Sequence, residues 1–302
     1  MKLSYKAHGK VILLGEHSVV YGYNALAMPI KSLWLKATIE PSTILWMDTA
    51  LYHGPFLAAP AEYDGLKYVV TKLLAKTNSQ QLVKITYTGK IPIERGLGSS
   101  ATVATATVRA LNDYWQLNLS EKEIITMINH AEMINHGKAS GIDAATVNSD
   151  NLLFFNKKNG ALQLKSKLKA SLLIMDTGDL GNTQKAVKQV HTIVANSISA
   201  RQNIKTLGNL TDQAKVAWVN QDKQQLGQIF NLAQDILHSF NLSTTKIDQI
   251  QDIALANGAL GFKLSGSGLG GIVIALCANH EIAEKIADLS HKLIVNQWIE
   301  EI

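Results

Sequence analysis

The sequence predicts an α+β fold divided into two domains, on three observations. The chain has 302 residues, about twice the length of a typical domain. Strand-like alternation and helix-like 3.6-residue periodicity are mixed along it, without the regular βαβ alternation of a doubly wound sheet. A lysine-rich stretch of low hydrophobicity, carrying Lys157, Lys158, Lys165, Lys167 and Lys169, lies between two such sets of segments. It places a boundary near residue 168, with one domain over 1–168 and the other over 169–302.

The first 50 residues read as strands. Val11 to Leu14 is a short buried run, and Ser32 to Glu40 alternates with Leu33, Leu35, Ala37 and Ile39 on one face. Leu66, Val69, Val70, Leu73 and Leu74 give Tyr63 to Lys76 helical spacing, and Leu82 to Tyr87 alternates again. A glycine-serine turn, Gly96 to Ser100, opens a helix to about Trp115, whose Ala101, Ala104 and Ala106 allow close packing on a sheet. Ser120 and Glu123 form a capping box for a second helix, with Gly137 as its stop. Asn151 to Asn156 and Ser171 to Asp176 read as strands, and the lysines between them as a solvated hairpin. Helices are expected over 182–205, 210–240, 243–257 and 279–291. Ala259 to Leu264, Gly271 to Cys277 and Leu293 to Trp298 are the remaining expected strands.

Composition excludes several classes. A hydrophobic share of 46% rules out global disorder. A single cysteine, Cys277, rules out an intrachain disulfide and any Cys-Cys zinc site. It sits in an apolar strand, which favours a core role over a nucleophilic one. The net charge of 29 − 24 = +5 is mild, and no basic stripe interleaved with aromatics suggests nucleic-acid binding. The apolar stretches are too short for a signal h-region or a membrane span. A soluble, cytoplasmic protein is the expectation.

Four segments could carry chemistry. The first is Gly9-Lys10 to Gly15-Glu16-His17, a buried strand bracketed by a lysine and a Glu-His pair. A surface lysine and a polar turn would account for it equally. The second is Gly96-Leu97-Gly98-Ser99-Ser100-Ala101. Curled backbone N–H groups and a helix N-terminus suit a phosphate there. A plain turn with Ser99 as N-cap is the alternative. The third runs from Glu132 through His136-Gly137-Lys138-Ala139-Ser140-Gly141-Ile142-Asp143. One carboxylate could hold a metal while the other takes a proton, unless Glu132 is merely solvated and Asp143 merely a cap. The fourth, Lys263 to Gly271, formally matches G-x-G-x-x-G through Gly266, Gly268 and Gly271. The strand-like Ile272 to Leu276 follows where a dinucleotide fingerprint needs a helix, so a nicotinamide-type fold is rejected.

Together the four segments resemble the GHMP family of small-molecule kinases. They occur in family order over about residues 7–271. The first and third are similar to those of family members that phosphorylate mevalonate; the second and fourth are common to most of the superfamily. The resemblance implies an N-terminal domain like the second domain of ribosomal protein S5 and a ferredoxin-like C-terminal domain, with the site in the cleft between them. It implies ATP as co-substrate, Mg²⁺ as cofactor, mevalonate as substrate and 5-phosphomevalonate as product. Asp143 would be the catalytic base, and Lys10 would neighbour it and steady the hydroxyl. Gly96, Leu97, Gly98, Ser99, Ser100 and Ala101 would cradle the triphosphate, and Ser100 and Glu132 would hold Mg²⁺. Glu16, His17 and Thr183 would belong to the substrate end. A homodimer is also consistent with the family. The rivals are a GHMP kinase for phosphomevalonate, homoserine or a sugar, or a non-catalytic binding protein of the same fold. The sequence departs from the family pattern at Leu269, which interrupts the last run of glycines.

Overall fold

The computed structural model describes residues 2–92, 96–136 and 140–302, the side chain of His136 excepted. The expected helix stop at Gly137 lies outside these residues. The chain divides into two compact units that interleave in sequence. One comprises Met1–Lys10, Pro29–Ile93 and Gly98–Asp150, the other Val11–Met28, Glu94–Leu97 and Asn151–Ile302. Two long strands, β1 (Leu3–Leu14) and β2 (Ala25–Ser42), run through both.

In the first unit, β2 is followed by β3 (Trp46–Asp48), β4 (His53–Pro55), α1 (Asp64–Leu74), β5 (Leu82–Gly89), α2 (Ser99–Tyr114), α3 (Glu121–His136) and α4 (Ile142–Val147). The strand order is β4-β3-β5-β2, with β1 also paired to β2. β2 and β5 are antiparallel, with Ile39 opposite Ile85. In β5 the alternation read from the sequence is the burial pattern observed, with Val83, Ile85 and Tyr87 buried; in β2, Leu33, Ala37 and Ile39 are buried but Leu35 only partly so, and Thr38 is buried between Ala37 and Ile39. Val69, Val70 and Leu73 of α1, Ala101, Ala104, Val108 and Leu111 of α2, and Ile124 and Ile128 of α3 join Ala37, Ile39, Val83, Ile85 and Tyr87 in one core cluster. The small residues at the start of α2 leave no side-chain bulk to hold that helix off its neighbours.

The capping box closes as expected. The Ser120 N–H donates to Glu123 Oε2 at 3.0 Å, and the Glu123 N–H to Ser120 Oγ at 3.3 Å. Each satisfies a donor that α3 would otherwise leave unmade.

The second unit holds β6 (Leu152–Asn156), β7 (Gly160–Leu164), β8 (Ser171–Asp176), α5 (Thr183–Asn196), α6 (Ile198–Val219), α7 (Lys223–Ser239), α8 (Thr245–Ala256), β9 (Ala259–Ser265), β10 (Ile272–Cys277), α9 (His280–Ser290) and β11 (Asn296–Glu301). β6 and β7 form the expected hairpin, with Lys157, Lys158, Lys165, Lys167 and Lys169 exposed. Residue 168 lies in the irregular stretch between β7 and β8. The second sheet has the order β11-β8-β10-β9, with every pairing antiparallel. Numbered within that sheet this is 4-1-3-2, the split βαβ arrangement of a ferredoxin-like domain.

Three helical segments expected between 182 and 257 are four in the structure. The chain turns extended at Ser197, whose side chain accepts from the Ala200 N–H and starts α6 anew. Gln221 then takes a left-handed φ of 58°, and Asp222 caps α7 by accepting from the Gln225 N–H. The last strand begins at Asn296 rather than Leu293. Leu293 is held in a turn by its N–H to the Ser290 carbonyl, and pairing with β8 starts only where the Val295 N–H reaches Asp176 O. Cys277 is fully buried in β10, and burial pushes its thiol up to about 12, consistent with a core role. Among the described residues no helix is long and apolar enough to cross a membrane.

The capping box gives a direct test of the α3 start. Ser120→Ala is expected to cost about 1 kcal/mol, read as a shift of the urea midpoint at unchanged slope.

Candidate active site

Lys10 sits near the middle of β1, and its side chain is 4% exposed. A buried ammonium requires an anion beside it. Asp143 supplies it: Lys10 Nζ lies 3.0 Å from Asp143 Oδ1, and the Asp143 side chain keeps 32% of its surface open. α4 presents this carboxylate from its first turn, entered through Gly141 at a left-handed φ of 87°. The acid therefore has one oxygen on the lysine and an accessible face.

α2 begins beside this pair. Its N-cap is Gly98, not Ser99 as the turn reading had it, and among the described residues no side chain caps the helix. Its first-turn N–H groups are those that a helix leaves for a ligand. Gly98 is required there twice over. Its φ is +72°, and a Cβ would stand 2.8 Å from Lys10 Cγ. The Thr102 hydroxyl lies 2.8 Å from Gly98 O and 3.0 Å from His8 O, tying the first turn of α2 to β1.

Ser100 lies in that first turn, and Glu132 is buried on α3 at 7% exposure. Asn135 lies three residues beyond Glu132 and so on the same face of α3. Asn135 Nδ2 donates to Ser100 Oγ at 2.9 Å. A hydroxyl and a carboxylate are hard oxygen donors, the set that suits Mg²⁺. The His136 side chain and residues 137–139 of this segment lie outside the described residues.

In the second unit, Glu16, His17 and Thr183 are joined by Lys263 and Ser267, residues of the fourth segment to which the sequence assigned no role. Lys263 of β9 is fully buried and forms an ion pair with Glu16, whose side chain is 1% exposed. Burial lowers the Lys263 pKa from its ordinary value, and the Glu16 charge opposes that shift. The Ser265 hydroxyl donates to Ile12 O at 2.8 Å and accepts from the Ile12 N–H at 3.2 Å. His17 Nε2 lies 3.0 Å from Ser267 O, and Thr183 Oγ1 lies 3.2 Å from Ser267 Oγ. Burial holds His17 below its usual pKa. A neutral ring facing a carbonyl through Nε2 carries its proton there, so Nδ1 is left as an acceptor. Ser267 thus links His17 and Thr183. Gly96 and Leu97 also belong to this unit by chain contacts, and Leu97 is fully buried.

Comparison with known proteins agrees with both units. Residues 65–149 match the GHMP kinases N terminal domain and residues 214–289 the GHMP kinases C terminal domain. Over 93% of this chain and 91% of its own length, the mevalonate kinase of Pyrococcus furiosus is 30% identical. The chain belongs to the mevalonate kinase family of GHMP kinases. Among solved structures, the L. major mevalonate kinase in complex with R-mevalonate superposes with a TM-score of 0.85 at 27% identity, covering 98% of this chain and 94% of that one. The Methanococcus jannaschii mevalonate kinase gives 0.87 at 25% identity, covering 100% and 99%. The fold is therefore that of a two-domain GHMP kinase, an ATP-using transferase, and the dinucleotide reading of Gly266 to Gly271 is set aside by β10 following it.

Two outcomes follow from the titratable groups. Removing one partner of a buried ion pair strands the other charge. Lys263→Met is expected to cost about 3–5 kcal/mol in chemical denaturation, with much of the loss recovered when Glu16→Leu is added. His8 and His17 are both lowered from 6.5 by burial. Above that pH both rings are neutral in either state, and their contribution to stability is fully present. As pH falls below it, the unfolded chain takes up protons first, so stability is lost on the acid side. Melting temperature is expected to drop from pH 7.5 towards pH 5, and His17→Gln to flatten part of that drop.

Proposed function

We propose that this kinase transfers the γ-phosphoryl group of ATP to the terminal hydroxyl of mevalonate, giving 5-phosphomevalonate and ADP. The observation that carries the reading is the buried Lys10 ammonium 3.0 Å from the part-exposed Asp143 carboxylate. The names of the relatives, and the R-mevalonate in the L. major structure, support the substrate.

Phosphoryl transfer asks a protein mainly for positioning and charge stabilisation. The hydroxyl oxygen forms a bond to the γ-phosphorus while the bond to the β–γ bridging oxygen breaks and its electron pair leaves on ADP. Asp143 takes the hydroxyl proton on its open face. Lys10 holds the carboxylate in place and offers positive charge to the alcohol oxygen. The uncapped first turn of α2, with Gly96, Leu97, Gly98, Ser99, Ser100 and Ala101, cradles the phosphates. Ser100 and Glu132 are the residues that would hold Mg²⁺, and the bound ion would neutralise charge between the phosphates. His17 and Thr183 are the residues that would contact the substrate. Glu16 serves that end by holding the turn before His17 through Lys263. A boundary near residue 168 is proposed between the N- and C-terminal domains.

Coupled ADP release with mevalonate, phosphomevalonate, homoserine and galactose tests the reading. Magnesium-dependent turnover is expected on mevalonate alone. Turnover on another alcohol, or on none, would set the substrate assignment aside. Asp143→Asn is expected to lower kcat by roughly 10²- to 10⁴-fold with ATP binding retained. Near-normal turnover in that variant would remove Asp143 from the mechanism.

A further inference from the structure

We propose that Asn135 is a positioning residue that aims the Ser100 hydroxyl at Mg-ATP, through an amide whose other end is fixed by the first turn of α1. The proposal rests on the reading of Ser100 given above.

The amide is held at both ends. The Gly65 N–H donates to Asn135 Oδ1 at 2.9 Å, and Asn135 Nδ2 donates to Ser100 Oγ at 2.9 Å. A backbone N–H can only donate, so the amide oxygen must face Gly65 and the NH₂ must face Ser100. The orientation follows from the partners and has no equivalent flip. Gly65 is the second residue of α1, so its N–H is one of the donors that a helix leaves without an intrahelical acceptor. The approach is also close. A Cβ at Gly65 would lie 2.6 Å from the Ala131 carbonyl and 2.7 Å from Asn135 Oδ1. Contact between α1 and α3 therefore sets where the amide stands, before any ligand arrives.

The consequence falls on Ser100. A serine hydroxyl has one proton and two lone pairs and turns freely about its Cβ–Oγ bond. Asn135 occupies one lone pair, which leaves one lone pair and the O–H in defined directions. A hydroxyl aimed in advance loses less freedom when it engages a ligand. α3 thus has two functions on one face: Glu132 supplies a carboxylate, and Asn135 sets the hydroxyl that acts with it. A merely structural role, tying α1 to α2, would need only the two hydrogen bonds and not their polarity.

The test separates these. KM for Mg-ATP and KM for mevalonate are measured by coupled ADP release for the wild type, Ser100→Ala, Asn135→Ala, Asn135→Asp and both double variants, with melting temperatures alongside. Asp keeps the acceptor for the Gly65 N–H but cannot donate to Ser100, and Asn135→Asp in the Ser100→Ala background reads the effect of its charge alone. Asn135→Ala is expected to raise KM for Mg-ATP roughly 3- to 10-fold, the worth of one hydrogen bond. KM for mevalonate is expected to stay within about twofold. Asn135→Asp, corrected for its charge, should not restore the Mg-ATP value. In the Ser100→Ala background, Asn135→Ala should add nothing further. Full rescue by Asp, or additive effects in the cycle, would overturn the proposal and leave Asn135 as a structural tie. An unchanged KM for Mg-ATP in Ser100→Ala alone would overturn the reading of Ser100 itself, and the positioning role with it.

Discussion

A lysine taken out of water must be given an anion, and among the described residues Lys10 and Lys263 are given one with opposite results. Lys10 and Lys263 are both buried, and each is within ion-pair distance of a carboxylate. The difference lies in the partner. Glu16 is as buried as Lys263, so neither charge can be reached and the pair acts as a fastening. Asp143 keeps about a third of its side chain open. It can therefore give one oxygen to the lysine and still meet a substrate. Burial on one side and access on the other is what a general base needs if it is to be held in place and still take a proton.

The rest of the first unit is arranged around that requirement. A lysine in mid-strand can be buried only if something covers it, and the first turn of α2 does so at Gly98, where a side chain would collide with the Lys10 stem. A helix that starts on a glycine has no side chain of its own to satisfy its leading N–H groups. The same constraint that covers the lysine thus leaves an anion-seeking helix end beside it. Small residues at Ala101 and Ala104 let α2 lie close enough for this to work, and the Thr102 hydroxyl fixes its distance from β1. On the proposed reading, covering the base and holding the phosphates are one structural solution.

How much of this was legible in the sequence depends on the range of the interaction. Periodicity marked the strands around Ile39 and Ile85 and the helices α1, α2 and α3, because burial repeats with the local geometry. The capping box at Ser120 was legible for the same reason, since both partners lie within one turn. Lys10 and Asp143 were paired through resemblance to a family, not through any pattern in this chain. Lys263 opened the fourth segment, but nothing local marked its partner, and Asn135 had no local signal at all. One meets Glu16 across 247 residues and the other meets Ser100 across 35, and an asparagine near the end of a helix looks like any solvated polar residue. The break at Ser197 was also hidden. Helical residues flank it on both sides, and only the extended backbone of that one serine ends one helix and caps the next.

Leu269 shows where a departure from a family pattern is tolerated. It takes a left-handed φ of 64°, a conformation that costs an ordinary residue roughly 1–2 kcal/mol. Its N–H meets the Leu242 carbonyl at 2.8 Å, which offsets part of that cost. The positions on either side are the ones that admit no side chain. A Cβ at Gly268 would stand 2.9 Å from the Leu242 carbonyl oxygen, and one at Gly270 would stand 3.0 Å from the Asp179 carbonyl oxygen. The close backbone approaches of this turn are thus made by the flanking glycines, while Leu269 lies half-buried between them. A leucine can stand in that run because the backbone strain falls on a residue whose side chain has room, and the contacts that require glycine are made next to it.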